Sequence, residues 1–291
     1  MKVSGFTIVR NAIKYDYPVV ESISSILPLC DEVIVAVGDS EDGTRALIES
    51  IGSSKIRIID TVWDKGLRKG GEVLAVETNK AFDAVSPDST WAIYIQADEV
   101  LHEDGLPKIR EAMNKWETDK EIDGFVLNYV HFYGSYDFVA DSRKWYRNEV
   151  RIIRNDKKIR SYKDAQGFRK EGKKLWVKPV EATMCHYGWV KPPENIRSKL
   201  QYFHTLWHDE EWMKKNKAEL ESFDYSGIDS LARFEGKHPS VMGKRISEKN
   251  WKFDFDPSQK RASVVSCLLH WVEKKTGVLI GEYKNYKIVK E

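Results

Sequence analysis

The chain has 291 residues, of which 41% are hydrophobic and 32% are charged, and its formal net charge is +2. A chain of this length forms one large domain or two smaller ones, and this composition predicts a buried core under a charged surface. The net charge is too close to zero to indicate a nucleic-acid-binding protein, so we expect no nucleic acid among its partners.

The three cysteines, Cys30, Cys185 and Cys267, are widely scattered. This spacing argues against a disulfide framework or a zinc site and favours a reducing compartment. Arg10 ends the first apolar run too early for a secretory signal, and no apolar run reaches the about 18 residues of a membrane span. We therefore expect a cytoplasmic protein, and peripheral attachment at the inner face of a membrane stays open.

Short apolar runs alternate with helical patterns along the first hundred residues. The predicted strands are 3–9, 33–37, 56–59 and 91–95, and the predicted helices are 18–29, 45–51 and 72–85. This alternation predicts a mostly parallel α/β sheet with right-handed crossovers. Asp39 and Asp98 each follow one of these strands, so we expect both to face one cleft at the carboxyl edge of the sheet.

The pattern changes near Pro192. Before it we predict a helix at 103–116 and strands at 123–133, 149–154 and 183–189, and after it only helices, at 194–207, 210–223 and 263–275. We therefore expect an α/β domain at 1–191 and a helical extension at 192–291. The apolar face of the last helix fits packing on the core, and contact with a membrane is the alternative.

Two adjacent carboxylates, Asp98 and Glu99, come just after the buried strand 91–95. Carboxylates held close together repel each other unless a cation or a proton relieves them, and a divalent metal that bridges a diphosphate would do so. The alternative is that these acids only begin the next helix, whose N-terminus favours negative charge.

Two polar loops add candidates. Asp39 and Asp42 lie in the turn after the second strand, where they could accept hydrogen bonds from a nucleotide, although a turn with a helix N-cap explains them equally well. Lys65, Arg68 and Lys69 form a basic loop. Such cations would stabilise a diphosphate leaving group, and a solvated loop is the alternative.

Four segments resemble, in order and spacing, the family 2 glycosyltransferases of the GT-A fold, nearest to those that build the lipopolysaccharide core. The segments are TIVRNAIKY, DEVIVAVGDSEDGT, VWDKGLRKGGEVLAVETNKAFD and WAIYIQADEVL. The resemblance implies a Rossmann-like sheet with flanking helices and a catalytic domain at 1–191. It also implies hexosyl transfer, usually with inversion and with Mn²⁺ or Mg²⁺, from a nucleotide-diphosphate sugar to a surface glycan or a lipid-linked acceptor.

The resemblance assigns the metal site. The family's Asp-X-Asp motif falls on Gln96-Ala97-Asp98, so Asp98 takes the role of metal ligand. Gln96 replaces the first aspartate, and it can bind a hydroxyl of the donor but brings no charge. Glu99 and His186 are the further expected ligands, and an imidazole favours Mn²⁺ over Mg²⁺.

The resemblance also assigns the nucleotide site. Asp39 matches an acid that contacts the nucleotide, and Arg10 and Asn11 match the segment that lines the base pocket. Together with Asp42 and the basic loop they form the expected donor site.

The general base is the least defined element. An inverting transfer needs a group that removes the proton of the attacking hydroxyl. The family's usual His-Glu pair is absent, and we expect Asp164 to be the base, with Glu181 and then Asp141 as the next candidates.

Two other functions stay open at this stage. A sugar nucleotidyltransferase would also place acids and a metal on an α/β sheet, but it usually has a glycine-rich loop after the first strand, where this chain has Arg10-Asn11-Ala12. A non-catalytic carbohydrate-binding protein of GT-A type would explain the loss of the first aspartate at Gln96.

Overall fold

The computed structural model describes residues 1–217, 225–258, 269, 273, 275–276, 281 and 283–290. The strands are β1 (Val3–Val9), β2 (Glu32–Val37), β3 (Ile56–Asp60), β4 (Trp91–Tyr94), β5 (Glu99–Leu101), β6 (Gly124–Tyr133), β7 (Ser135–Ala140), β8 (Asn148–Arg154), β9 (Ile159–Tyr162), β10 (Gly167–Lys170), β11 (Lys173–Lys174), β12 (Trp176–Trp189), β13 (Leu231–Arg233) and β14 (Lys287–Ile288). The helices are α1 (Val19–Ile26), α2 (Thr44–Glu49), α3 (Glu72–Asp83), α4 (Leu106–Lys115), α5 (Pro193–Thr205), α6 (Glu210–Lys215) and α7 (Gly243–Ser247).

One large sheet organises the molecule. Its central order is β3-β2-β1-β4-β8-β6, in which the first four strands are mutually parallel and β8 is antiparallel to both of its neighbours. Strand β12 runs parallel to β6 on the other side of β6. The predicted α/β class and the GT-A arrangement with its mainly parallel sheet are confirmed.

Each central strand contributes side chains to two cores, one on each face of the sheet. In β4, Trp91 and Ile93 pack into the core that includes α1, whereas Ala92 and Tyr94 pack into the core that includes α3. Successive side chains of a strand point to opposite faces, so a strand covered by helices on both faces must be apolar at every position. This requirement explains the continuous apolar runs from which the strands were predicted.

The structure adds strands that the sequence pattern did not predict. Strands β9, β10 and β11 form a separate small antiparallel sheet, and β12 begins at Trp176 rather than at the predicted Thr183. The first half of β12 includes exposed polar positions such as Glu181, so it has no continuous apolar run from which a strand could be predicted.

The described part of the extension is not purely helical. It contains α5, α6 and α7, but β13 pairs with β7 and β14 pairs with β12, so two of its segments extend the main sheet. The predicted helix at 263–275 lies largely outside the described residues, and the boundary near Pro192 stays a prediction. Within the ranges that the structure describes, we find no helix with the length and hydropathy of a transmembrane span.

A buried ion pair ties the centre of the sheet together. Arg151 of β8 bonds both carboxylate oxygens of Glu99 in β5, with Nη2–Oε1 at 2.6 Å and Nε–Oε2 at 2.8 Å, and neither side chain is exposed. The Tyr129 hydroxyl of β6 donates to the same carboxylate, as does the backbone N–H of Gln96. Burial disfavours a charged Arg151, but the attraction of Glu99 outweighs it and raises the pKa of Arg151 well above its usual value.

We predict that Arg151→Met destabilises the fold by about 3–5 kcal/mol, because it leaves the Glu99 charge buried without its partner. Urea unfolding followed by circular dichroism measures this loss. Lys108→Met is the matched control, since it removes a cation from the exposed pair with Glu181 and should leave stability nearly unchanged. Equal losses in the two variants would contradict the central role of the buried pair.

Candidate functional site

A cleft of about 470 Å³ opens at the carboxyl ends of β1 and β4. Its walls include the end of β1, the turn after β4, the segment between β7 and β8, the loop between β9 and β10, the end of β12, and helix α5. The position agrees with the edge expected for a ligand site in an open α/β sheet. Among the predicted site residues, this cleft is lined by Arg10, Gln96, Asp98, Asp164 and His186.

Asp98 lies at the floor of the cleft beside a cation. Its Oδ2 accepts a hydrogen bond of 3.0 Å from Lys199 Nζ and lies 3.7 Å from His186 Nε2. Burial would raise the pKa of Asp98, but the positive charge of Lys199 outweighs it and helps to lower the pKa well below its usual value. Asp98 is therefore ionised at neutral pH. The sequence analysis missed Lys199, because it lies on α5 beyond every recognised motif.

A chain of hydrogen bonds sets the tautomer of His186. His131 Nε2 lies 3.0 Å from the Tyr146 carbonyl oxygen, which can only accept, so this nitrogen carries a hydrogen. Burial lowers the pKa of His131 well below its usual value and keeps the ring neutral, so its Nδ1 accepts from His186 Nδ1 at 3.2 Å. In neutral His186 the lone pair is then on Nε2, the nitrogen that faces Asp98.

This arrangement fits two protein ligands of a divalent metal. The Asp98 carboxylate oxygen and the His186 lone pair face each other, and this arrangement is favourable only with a cation nearby. The hydrogen bond from His186 Nδ1 to His131 resembles the second hydrogen bond that orients a metal-binding histidine. Over the described residues there is no group of three or more His, Cys, Asp or Glu suited to a metal. Two ligands suffice where substrate phosphates complete the coordination shell, as they commonly do for Mg²⁺.

Glu99, the third expected metal ligand, is not in this cleft. Glu99 is the first residue of β5, which pairs with β12. Its carboxylate accepts hydrogen bonds from Arg151 and Tyr129 on the inner side of the sheet. Asp98 is the last residue of the turn before β5 and bonds Lys199, so the two carboxylates have separate partners and diverge instead of sharing a cation. The expectation that Glu99 compensates for Gln96 at the metal is corrected on this geometry.

Arg10 and Asp39 form an ion pair at one end of the cleft, with Arg10 Nη2 3.1 Å from Asp39 Oδ2. The guanidinium lies between the rings of Trp63 and Tyr202, 5.8 Å and 5.6 Å from their centroids, and bonds the Tyr202 hydroxyl at 3.0 Å. The indole of Trp63 packs so closely on Gly38 that a Cβ at this glycine would lie 2.4 Å from Nε1. Flat rings and a paired arginine form a surface suited to a nucleoside.

Two of the predicted nucleotide contacts have local partners instead. Asn11 is buried with a φ of 53°, and its Oδ1 accepts from the backbone N–H of Glu41 at 2.7 Å. Asp42 accepts from the backbone N–H groups of Lys14 and Thr44. These bonds hold the end of β1 against the turn after β2, so the two residues shape the cleft without lining it.

The basic loop does not reach the cleft. Lys65 and Lys69 are exposed, Arg68 lies 3.6 Å from Glu210 of α6, and none of the three lines the cavity. The cations that do line it are Arg10, Lys144 and Lys199. Gln96 lines the cleft as expected, with its amide nitrogen 3.4 Å from the carbonyl oxygen of Ala165.

A second cavity, of about 510 Å³, adjoins the first. The residues common to both linings are Lys144, Trp145, Tyr146, Asp164 and Gln166. Asp164 lies in a turn between two residues of positive φ, Lys163 at 54° and Ala165 at 60°, at the junction of the two cavities.

The other candidate carboxylates differ in solvent exposure and in whether they line a cavity. Glu149 also lines the second cavity, and burial raises its pKa to about 7. Glu181, the second candidate for the base, is 85% exposed and paired with Lys108, and it lines neither cavity. Asp141, the third candidate, also lines neither cavity.

A family model described as glycosyl transferase family 2 matches residues 6–175, more than half of the chain. The chain belongs to this family. The match contains the second half of β1, the turn after β4 and Asp164, and it ends before His186 and Lys199. The resemblance drawn from the four sequence segments is confirmed at the level of the family. No curated protein matches the chain.

The comparison with solved structures finds similar chains at low identity. S. aureus TarS has 14% identity and a TM-score of 0.41 over 69% of this chain and 39% of its own. Glucosyl-3-phosphoglycerate synthase from Mycobacterium tuberculosis, solved with Mn²⁺, UDP and phosphoglyceric acid, has 18% identity and a TM-score of 0.31 over 45% of this chain and 43% of its own.

The third is 4-diphosphocytidyl-2C-methyl-D-erythritol synthase from Anaerococcus prevotii, with 12% identity and a TM-score of 0.38 over 69% of this chain and 96% of its own. All three scores lie below 0.5. The family assignment therefore rests on the family model alone, and the chain spans well under two thirds of the first two structures.

We predict that Gly188→Ala weakens binding of a nucleoside diphosphate with Mn²⁺ by about tenfold or more, because site geometry tolerates shifts of well under 1 Å. A Cβ at this position would lie 2.5 Å from His186 Nε2 and 2.6 Å from Asp98 Oδ2. Isothermal titration calorimetry measures the affinity. Gly243→Ala is the control, since its Cβ meets nothing within 4 Å. Unchanged affinity in Gly188→Ala would place the ligand elsewhere.

Proposed function

We propose that this protein transfers a hexose from a nucleotide-diphosphate sugar to a hydroxyl of a glycan or lipid-linked acceptor, with inversion at the anomeric carbon. One observation carries the proposal: the family match extends over the strand ends that form the cleft, and Asp98 lies ionised in that cleft beside His186 and Lys199. Charged groups of both signs at a strand edge are suited to a diphosphate and its counter-cation.

The two ends of the cleft suggest how the donor lies. The rings of Trp63 and Tyr202 with the Arg10–Asp39 pair provide the nucleoside end. Asp98, His186 and Lys199 provide the diphosphate end. A divalent metal held by Asp98 and His186 would take up the negative charge of the leaving diphosphate, and the imidazole favours Mn²⁺ over Mg²⁺.

The junction of the two cavities suggests where the acceptor enters. Trp145 and Tyr146 line both cavities and offer flat apolar faces for a sugar ring. Asp164 at this junction would take the proton of the acceptor hydroxyl. The hydroxyl oxygen then attacks the anomeric carbon from the face opposite the leaving diphosphate, the bond from that carbon to the diphosphate oxygen breaks, and the nucleoside diphosphate leaves with the electron pair.

We predict that one nucleoside diphosphate, with Mn²⁺, raises the melting temperature of the protein, and that Asp98→Asn abolishes the metal-dependent part of the shift. A panel of UDP, GDP, CDP and ADP with and without Mn²⁺, read by differential scanning fluorimetry, measures it. Asp104→Asn, at an exposed aspartate far from the cleft, is the control for the loss of one carboxylate. The proposed function fails if no member of the panel shifts the wild-type protein.

We predict that Asp164→Asn lowers kcat for sugar transfer by about 100-fold or more while donor affinity changes little, because only the proton acceptor is lost. Glu181→Gln should keep wild-type kcat, since Glu181 is exposed and outside both cavities. Transfer is measured by release of nucleoside diphosphate with the donor identified by the panel. A larger loss in Glu181→Gln than in Asp164→Asn would reverse the assignment.

The remaining expectations from the sequence stay predictions. These are the cytoplasmic location, the contact with a membrane surface and the lipopolysaccharide-core type of acceptor. Release of pyrophosphate from a nucleoside triphosphate and a sugar phosphate would support the nucleotidyltransferase instead.

A further inference from the structure

Lys199 holds the oxygen at which a metal would bind. Its ammonium group donates to Asp98 Oδ2 at 3.0 Å and to the carbonyl oxygen of Gly188 at 3.0 Å, and it lies 5.1 Å from the centroid of the Tyr17 ring. The side chains of Lys199 and Asp98 are each only 13% exposed. This is a charge-assisted contact with little solvent screening, and such contacts are stronger than neutral hydrogen bonds.

The same oxygen faces His186. Asp98 Oδ2 is the atom that lies 3.7 Å from His186 Nε2, so a metal bound between these two residues would need the oxygen that Lys199 now occupies. An ammonium group and a divalent cation also repel each other at this range. A metal that arrives alone must therefore displace Lys199 from its carboxylate and leave the displaced ammonium group without an anionic partner.

Other nearby groups do not offer Lys199 an alternative partner. Gln96 is uncharged, and Glu99 is fully committed to Arg151 and Tyr129. Lys191 is a second cation: its ammonium group lies 4.7 Å from the centroid of the same Tyr17 ring and donates to the carbonyl oxygens of Tyr15 and Asp16. At the floor of the cleft, Lys199 and an incoming metal therefore compete for the carboxylate of Asp98.

A diphosphate changes this balance. It brings negative oxygens that can accept from the displaced Lys199 and can also complete the coordination shell of a metal that has only two protein ligands. Lys199 lines the cleft, so its ammonium group can reach a ligand there. The metal and the diphosphate therefore each lower the free-energy cost that the other has when it binds alone.

We propose that Lys199 is a positioning residue that couples metal binding to donor binding: the free protein holds Lys199 on Asp98 and binds a divalent metal weakly, and a nucleoside diphosphate releases Asp98 for the metal. This inference rests on the proposed function for the identity of the diphosphate ligand. Coupling of this kind is reciprocal, so the metal raises the affinity for the nucleotide by the same factor.

The test is a titration of the full chain with Mn²⁺, with free Mn²⁺ read by electron paramagnetic resonance, in the absence and presence of the nucleoside diphosphate that stabilises the protein most. In the wild type we expect the nucleotide to raise Mn²⁺ affinity by about tenfold or more. In Lys199→Met we expect Mn²⁺ to bind the nucleotide-free protein about tenfold more tightly than it binds the wild type, because Asp98 is then unpaired.

Two further variants control the result. Lys199→Arg keeps the cation and should keep the weak binding of metal alone. Lys170→Met removes a lysine from a comparable partly buried carboxylate pair, with Asp123 at 2.9 Å, outside the two cavities, and should bind Mn²⁺ as the wild type does. Circular dichroism confirms that each variant is folded, and Lys199→Gln replaces Lys199→Met if the latter does not fold.

The proposal is overturned if Lys199→Met, or its glutamine substitute, binds Mn²⁺ alone no more tightly than the wild type does. It is also overturned if no variant binds Mn²⁺ in either condition. The measurement with metal alone needs no nucleotide. If no nucleoside diphosphate binds, the proposed function fails while the comparison of metal affinities still decides the role of Lys199.

Discussion

The buried pair of Arg151 and Glu99 is the interaction on which the site depends. It joins β5 to β8, and through the Tyr129 hydroxyl it also joins β6. Arg151 donates in addition to the carbonyl oxygen of Gln166, in the loop that carries Asp164. The turn with Asp98 and the loop with Asp164 are therefore fixed to the same guanidinium, although they come from separate parts of the chain.

The pair also determines which carboxylate faces the cleft. Glu99 is held inward at the first position of β5, and Asp98, in the turn just before it, faces the cleft, where it meets His186 and Lys199. Glu99 thus stabilises the fold, and its neighbour Asp98 lines the cleft. A buried ion pair is weak evidence for stability in general, but here it has a positional role, since it fixes the start of β5 and with it the turn that carries Asp98.

The sequence predicted the sheet well because each central strand is covered on both faces. Complete coverage demands an unbroken apolar run, as at 91–95, and such runs are visible without any structure. It predicted Asp98 as a cleft residue for a related reason, since polar residues that follow a buried strand lie at its edge, whereas Gln96, Asp164 and His186 came from the resemblance to the family. Glu99 and Lys199 show the limit, because which face a side chain takes depends on pairing between β5 and β12, and which helix closes the cleft depends on tertiary packing.

Helix α5 closes one wall of the cleft, yet it lies outside the family match and beyond the predicted boundary near Pro192. The cleft therefore extends beyond the family match, and a protein cut at residue 191 would lose Lys199 and Tyr202 from the cleft as well as β13 and β14 from the sheet. Because α5 contributes no strand, its side chains can change without disturbing the order of the sheet. Exchange of this one helix between relatives is thus a route by which the lining of the cleft can change on an otherwise constant scaffold.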